Sequence, residues 1–115
     1  MNIPLFDGHC DALYKLMATP DQHLTDSDGQ WSLHRCQQFA PQAQIFAVFA
    51  DSAQPDANAQ AAWQIQRMHQ ECALAPDRIA LCTTGTQAKE AVAAGKLAAF
   101  LSVEGAELLD CSLET

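Results

Sequence analysis

AQIFAVFAD, residues 43–51, is apolar almost without a break, and its reading decides what kind of sheet this chain builds. A strand with one wet face alternates polar and apolar side chains. A strand that is apolar at both parities needs cover on both faces, which is the situation in a parallel sheet flanked by helices. Asp51-Ser52 then breaks the run. Downstream the period changes. Ala61, Ile65, Met68, Cys72 and Ala75 recur at helical spacing, so a helix is predicted from Asp56 or Asn58 to about Ala75. Its apolar stripe through Ile65 and Met68 is expected in the core, with Gln and Arg on the other face and Pro76-Asp77 as its end.

RIALCTT, residues 78–84, predicts a third strand. Thr86 is expected to cap a short helix from Gln87 to Ala94, with Gly95 as its C-terminal stop. KLAAFLSVEG, residues 96–105, predicts a fourth strand ending on Glu104, and AELLDCSLET begins another helix or loop. Upstream, residues 2–7 read as a short buried strand and ALYKLMA, residues 12–18, as a helical turn before Pro20. DQHLTDSDGQ, residues 21–30, reads as a loop. Residues 31–41 are ambiguous: Trp31, Leu33 and Phe39 suggest partial burial, and Pro41 is expected to end whatever precedes it. The expected fold class is therefore α/β, about four parallel strands alternating with helices in one segment, residues 1–115. Periodicity alone leaves open whether this is a small complete sheet or part of a barrel.

Fourteen acidic against six basic side chains give a net charge of −8, and no Lys/Arg cluster occurs. That balance excludes nucleic acid and an anionic membrane surface as expected partners. The start, MNIPLFDGHCD, lacks a basic region and an apolar h-region, and no run is long enough to cross a bilayer, so the expected location is cytoplasmic. Five scattered cysteines, Cys10, Cys36, Cys72, Cys82 and Cys111, form no C-x-x-C pair. They are expected to be small buried hydrophobes rather than a disulfide framework.

In parallel sheets chemistry gathers at the carboxyl ends of the strands. His9 and Asp11 follow the first predicted strand, Asp51 the second and Glu104 the fourth. In FDGHCDAL, residues 6–13, His9 and Asp11 are two apart and share one side of a strand, with Cys10 opposite. One imidazole and two carboxylates suit zinc, manganese or iron(II). Alone, H-x-D reads more readily as a hydrogen-bonded His, Glu104 as an acid at a helix start and Asp51 as a turn residue. His23, His34 and His69 are expected to face solvent, and Trp31 and Trp63 to pack. No Gly-rich phosphate loop and no G-x-S-x-G elbow occurs.

FDGHCDAL nevertheless resembles the opening D-G/T-H-x-D of the renal (membrane) dipeptidase family of metallopeptidases. QIFAVFAD is similar to that family's second strand. APDRIALCTTGTQAKEAVAAGKLAAFLSVEGAELL is similar to its next segment, including the V-E-G ending. The resemblance covers nearly the whole chain. It implies the N-terminal part of a TIM-like (β/α)8 barrel of the amidohydrolase type. It implies that His9 and Asp11 bind one zinc ion, and that Glu104 is the catalytic carboxylate bridging it to a second. A metal-activated water then hydrolyses a dipeptide. Lactone- or cyclic-amide-cleaving relatives of the same superfamily, or a catalytically silent fragment or interaction module, are the alternatives. The family usually carries a second glycine and a histidine after E-G, where this chain has Ala106-Glu107. A complete barrel needs roughly 250 residues. The resemblance therefore implies a fragment with exposed strand edges that forms a homodimer or otherwise self-associates.

Overall fold

The computed structural model of the chain describes residues 3–109 and 113–114. Four strands and three helices alternate: β1 (Ile3–Cys10), α1 (Ala12–Ala18), β2 (Phe39–Phe49), α2 (Ala57–Leu74), β3 (Ile79–Leu81), α3 (Gly85–Ala93) and β4 (Leu97–Glu104). Short 3-10 turns occupy His34–Cys36 and Glu107–Leu109. The strands form one parallel sheet in the order β1-β2-β4-β3.

The central strand is the one whose sequence is apolar at both parities. Phe46, Ala47 and Val48 are all buried. On one face Phe46, Val48, Leu97 and Ala99 pack against Leu13 and Leu16 of α1 and Ala61 and Met68 of α2. On the other, Ala98 packs with Cys82 and with Ala91 of α3, and Ala43 and Phe100 join them. The change of face follows from the strand order. The chain advances from β1 to β2, passes over β4 to β3, and then steps back to β4. A right-handed return in the reverse direction puts its helix on the opposite face.

Several local expectations are corrected. β1 is an edge strand rather than a buried one, with Ile3 46% and Phe6 67% exposed. Among the described residues only β2 pairs with it, so one side of its backbone has no strand partner. β2 begins at Phe39 and runs through Pro41 instead of stopping there. Proline lacks an N–H to donate, and the strand's first residues tolerate it. β3 is shorter than expected, at three residues. Thr84, not Thr86, caps α3, its hydroxyl accepting from Gln87 N at 3.1 Å. Gly95 does stop that helix, at φ +77°. A Cβ there would meet no atom within 4 Å, so Gly95→Ala is expected to cost only backbone strain, about 1 kcal/mol in a thermal or urea melt.

The stripe on α2 is only partly the one periodicity draws: Ala61, Met68 and Ala75 are buried as expected. Ile65 is 37% exposed, whereas Gln64, Arg67 and Glu71 are buried. Gln64 donates from Nε2 to Phe49 O at 2.7 Å and accepts from Phe49 N at 3.2 Å, closing the end of β2. Arg67 and Glu71 form a buried pair, Nε to Oε2 at 3.2 Å. Glu71 also accepts from His23 Nδ1 at 2.9 Å and from Leu24 N. Arg67 donates to Pro20 O at 3.0 Å and to Gln22 O. The pair thus anchors the α1–β2 connection, whose Leu24, Trp31, Leu33 and Cys36 complete the core. His23, His34 and His69 are exposed as expected, although His23 is partnered. Cys10, Cys36, Cys72 and Cys82 are free thiols, buried or half-buried; Cys111 lies outside the described residues.

Removing Glu71 would strand the Arg67 guanidinium in the core. Glu71→Ala is expected to lower the unfolding free energy by about 3 kcal/mol in urea titration, as for other broken buried pairs. A loss indistinguishable from that of a surface substitution would show that the network does not hold the connection.

Candidate metal centre

His9 lies in β1, next to its end. Between Asp7 and Cys10 the register with β2 slips: Asp7 faces Gln44 and Cys10 faces Phe46. Three steps along β1 therefore match two along β2, the signature of a bulge. Strict alternation from Asp7 would send His9 to the face covered by α1 and α2. The extra residue turns it the other way and returns Cys10 to that core, where it packs. Asp11 sits between β1 and α1, at φ −105° and ψ 32°, with no side-chain cap to the helix. Its carboxylate is thereby left for His9, whose Nε2 lies 3.3 Å from it.

Glu104 ends β4, opposite Phe49 in register, and Gly105 at φ +87° turns the chain away behind it. Its Oε2 is 3.5 Å from His9 Nε2. Three residues spread over almost the whole chain thus offer ligand atoms that all lie within 4.8 Å of one another. Among the described residues no other group of three His, Cys, Asp or Glu does so. Asp51 stays outside, its carboxylate accepting from Ala53 N at 2.9 Å in a turn.

The donor set fits a divalent transition metal. Tetrahedral zinc with bonds of about 2.0–2.2 Å holds its ligand atoms about 3.3–3.6 Å apart. The two separations measured from His9 Nε2, 3.3 Å and 3.5 Å, fall in that range. The three side chains are 50%, 55% and 48% exposed, so they form an open rim rather than an enclosed cage. Cys10 is unsuited to the chemistry. Burial pushes its thiol up to about 12, against a smaller opposing effect of the Ala12 backbone hydrogen bond.

Sequence reasoning missed the wall beside this rim. A cavity of about 740 Å³ adjoins His9 and Asp11 and is lined by Tyr14, Lys15, Asp28 and Trp31 as well. Lys15 Nζ is 3.6 Å from Asp28. A hydrogen bond with Gln22, then the Lys15 charge, holds the Asp28 carboxyl below its ordinary range. Nothing in D-S-D-G-Q announces a wall, because the Arg67–Glu71 anchor that places this loop comes from a helix more than thirty residues away.

The family model of the membrane dipeptidases, peptidase family M19, matches residues 1–115. The chain belongs to this family. Two solved structures share its fold. Dipeptidase AC, a metallopeptidase of family M19, is 26% identical, with a TM-score of 0.79 over 94% of this chain and 37% of its own. A metallopeptidase from Rhodobacter sphaeroides, liganded with a phosphinate mimic of the dipeptide L-Ala-D-Ala, is 24% identical. Its TM-score is also 0.79, over 94% of this chain and 40% of its own. No curated protein matches the chain. The chain thus spans well under half the length of these M19 structures, and its parallel sheet matches the N-terminal part of their barrels.

If this donor set holds a metal ion, His9→Ala and Asp11→Ala in the intact protein each weaken zinc binding at least about a hundredfold in equilibrium titration, more than loss of a supporting residue costs. Cys10→Ala is expected to leave it unchanged. Equal weakening by all three would point to a general loss of structure instead of a ligand set.

Proposed function

We propose that this chain carries half of the dinuclear zinc site of a dipeptidase, with His9 and Asp11 as terminal ligands of one ion and Glu104 as the carboxylate bridging to a second. The observation that carries the reading is the convergence of those three side chains at the carboxyl end of a parallel sheet, in a chain of the M19 family. Metal held there lowers the pKa of a coordinated water towards neutrality and polarises a carbonyl, the two requirements of amide hydrolysis at neutral pH. His9 presents Nε2 to the ion, and the bulge beneath it fixes the ring on the side of Glu104. Asp11 balances the charge of the ion and stays clear of the helix it precedes. Glu104 has two oxygens and ends a strand, so it would offer one oxygen to each of two ions. Family membership favours a dipeptide over a lactone or cyclic amide as substrate.

The openness of the rim supports the second part of the reading, that these residues are only half a site. Three half-exposed ligands hold an ion weakly, because water competes for every open position and screens the charges. The open edges argue for the same incompleteness. β1 pairs on one side only, and β3 covers β4 only at Leu97, Ala98 and Ala99. Bare edges invite further strands, from the same polypeptide or from a second copy.

Glu104→Gln in the intact protein keeps the size of the side chain and removes its charge. It is expected to reduce metal content from two ions per chain to one or none, and to slow dipeptide hydrolysis about a thousandfold, or ~4 kcal/mol of barrier. Normal metal content with normal turnover in this variant would refute the assignment.

A further inference from the structure

At the opposite end of the sheet lies a pocket with a different character. It has a volume of about 210 Å³ and is lined by the apolar side chains Leu33, Phe39 and Leu97, and by Gln42, Arg78 and Lys96. Ile79 and Leu97 are register partners in the parallel pair β3–β4. Arg78 and Lys96, each one residue earlier, therefore start their strands side by side, and Leu97 N donates to Arg78 O at 2.8 Å. Like charges placed opposite one another on neighbouring strands repel.

The chain has only six basic residues against fourteen acidic ones, yet two of the six meet here. Among the described residues neither has a carboxylate within ion-pair distance, whereas Lys15 and Arg67 both do. The third polar group is a donor too. Gln42 is buried, and its Nε2 has no oxygen acceptor; the Cys36 thiol is the side chain it faces. A buried amide without an acceptor is costly and asks for one. Two cations and a buried amide donor without an oxygen acceptor, all lining one apolar hollow, describe the complement of an amphipathic anion.

We propose that this pocket binds a small organic carboxylate, its hydrocarbon part between Leu33, Phe39 and Leu97 and its carboxylate against Arg78, Lys96 and the amide of Gln42. Arginine and a carboxylate match in geometry as well as charge. An inorganic oxyanion would satisfy the donors and leave the apolar walls wet, so the hydrocarbon part is integral to the ligand. The site is separate from the metal rim. The two lie at opposite ends of β4, whose eight residues span roughly 23 Å.

Calorimetric titration of the intact protein with hexanoate, acetate and inorganic phosphate tests the proposal. Hexanoate is expected to bind saturably at one site and more tightly than acetate or phosphate. R78Q and K96Q are each expected to weaken it about tenfold. K89Q, which changes an exposed lysine on α3 outside the pocket, is expected to have no effect. Arg78 is itself exposed, so its substitution leaves folding intact, which a matching thermal melt checks. Phosphate or acetate binding as tightly as hexanoate, equal weakening by all three cation variants, or no saturable binding would each overturn the proposal.

Discussion

Parallel pairing of β2 with β1 on one side and β4 on the other is the constraint on which the site depends. Cys10 faces Phe46 and Phe49 faces Glu104, so one strand sets the height of both segments that supply the candidate ligands. The separation of His9 from Glu104 along the chain then ceases to matter, and only two strand spacings lie between them. Because all strands run the same way, their carboxyl ends share one rim. An antiparallel partner would have placed Glu104 beside the start of β1. The apolar composition of β2 is the price of that arrangement, since a strand paired on both sides and covered on both faces has no place for a polar side chain to meet water.

The bulge in β1 does the fine adjustment. In a regular strand the side chains of Asp7 and His9 would share a face, and His9 would be packed toward Leu13 and Trp31. One additional residue reverses this locally and places a polar ring on the open side of an edge strand. The edge position is what permits the irregularity. A bulge in β2 would break the ladder on two sides, whereas in β1 it disturbs only one. The same exposure that leaves Ile3 and Phe6 uncovered therefore accompanies the freedom to aim His9.

What was legible in the sequence is what depends on short-range pattern. The two-faced strand, the helix after it, the Gly95 stop and the strand ending in Glu104 each follow from local composition and spacing. The convergence of His9, Asp11 and Glu104 followed from the rule that chemistry collects at strand ends, sharpened by the resemblance of F-D-G-H-C-D and V-E-G to a family. What was not legible depends on partners distant in sequence. Arg67 reads as a surface residue because charge usually lies outside; it and Glu71 are inside because the backbone carbonyls of Pro20 and Gln22 and the N–H of Leu24 receive them. Ile65 then has to give up the core to them. The burial of β1 was overstated for a similar reason: an apolar run shows that a strand wants neighbours, not how many it has.

The position of α3 determines what kind of space the rim of His9, Asp11 and Glu104 can open into. α1 and α2 cover the face opposite Glu104, as helices outside a barrel do. α3 packs instead against Ala43, Ala98 and Phe100, on the face that carries Glu104 four residues beyond Phe100. That face is thus apolar and closed at its lower end and polar and open at its upper end, with Ala47 and Ser102 between. Any sheet completed around it would enclose a space with a floor made by α3 and a mouth lined by His9, Asp11 and Glu104. A floor of alanine and phenylalanine puts apolar surface below Glu104, while Glu104 itself stays half-exposed at the mouth. The backward step from β3 to β4 thus both reverses the helix layer and closes the face of Glu104 from below.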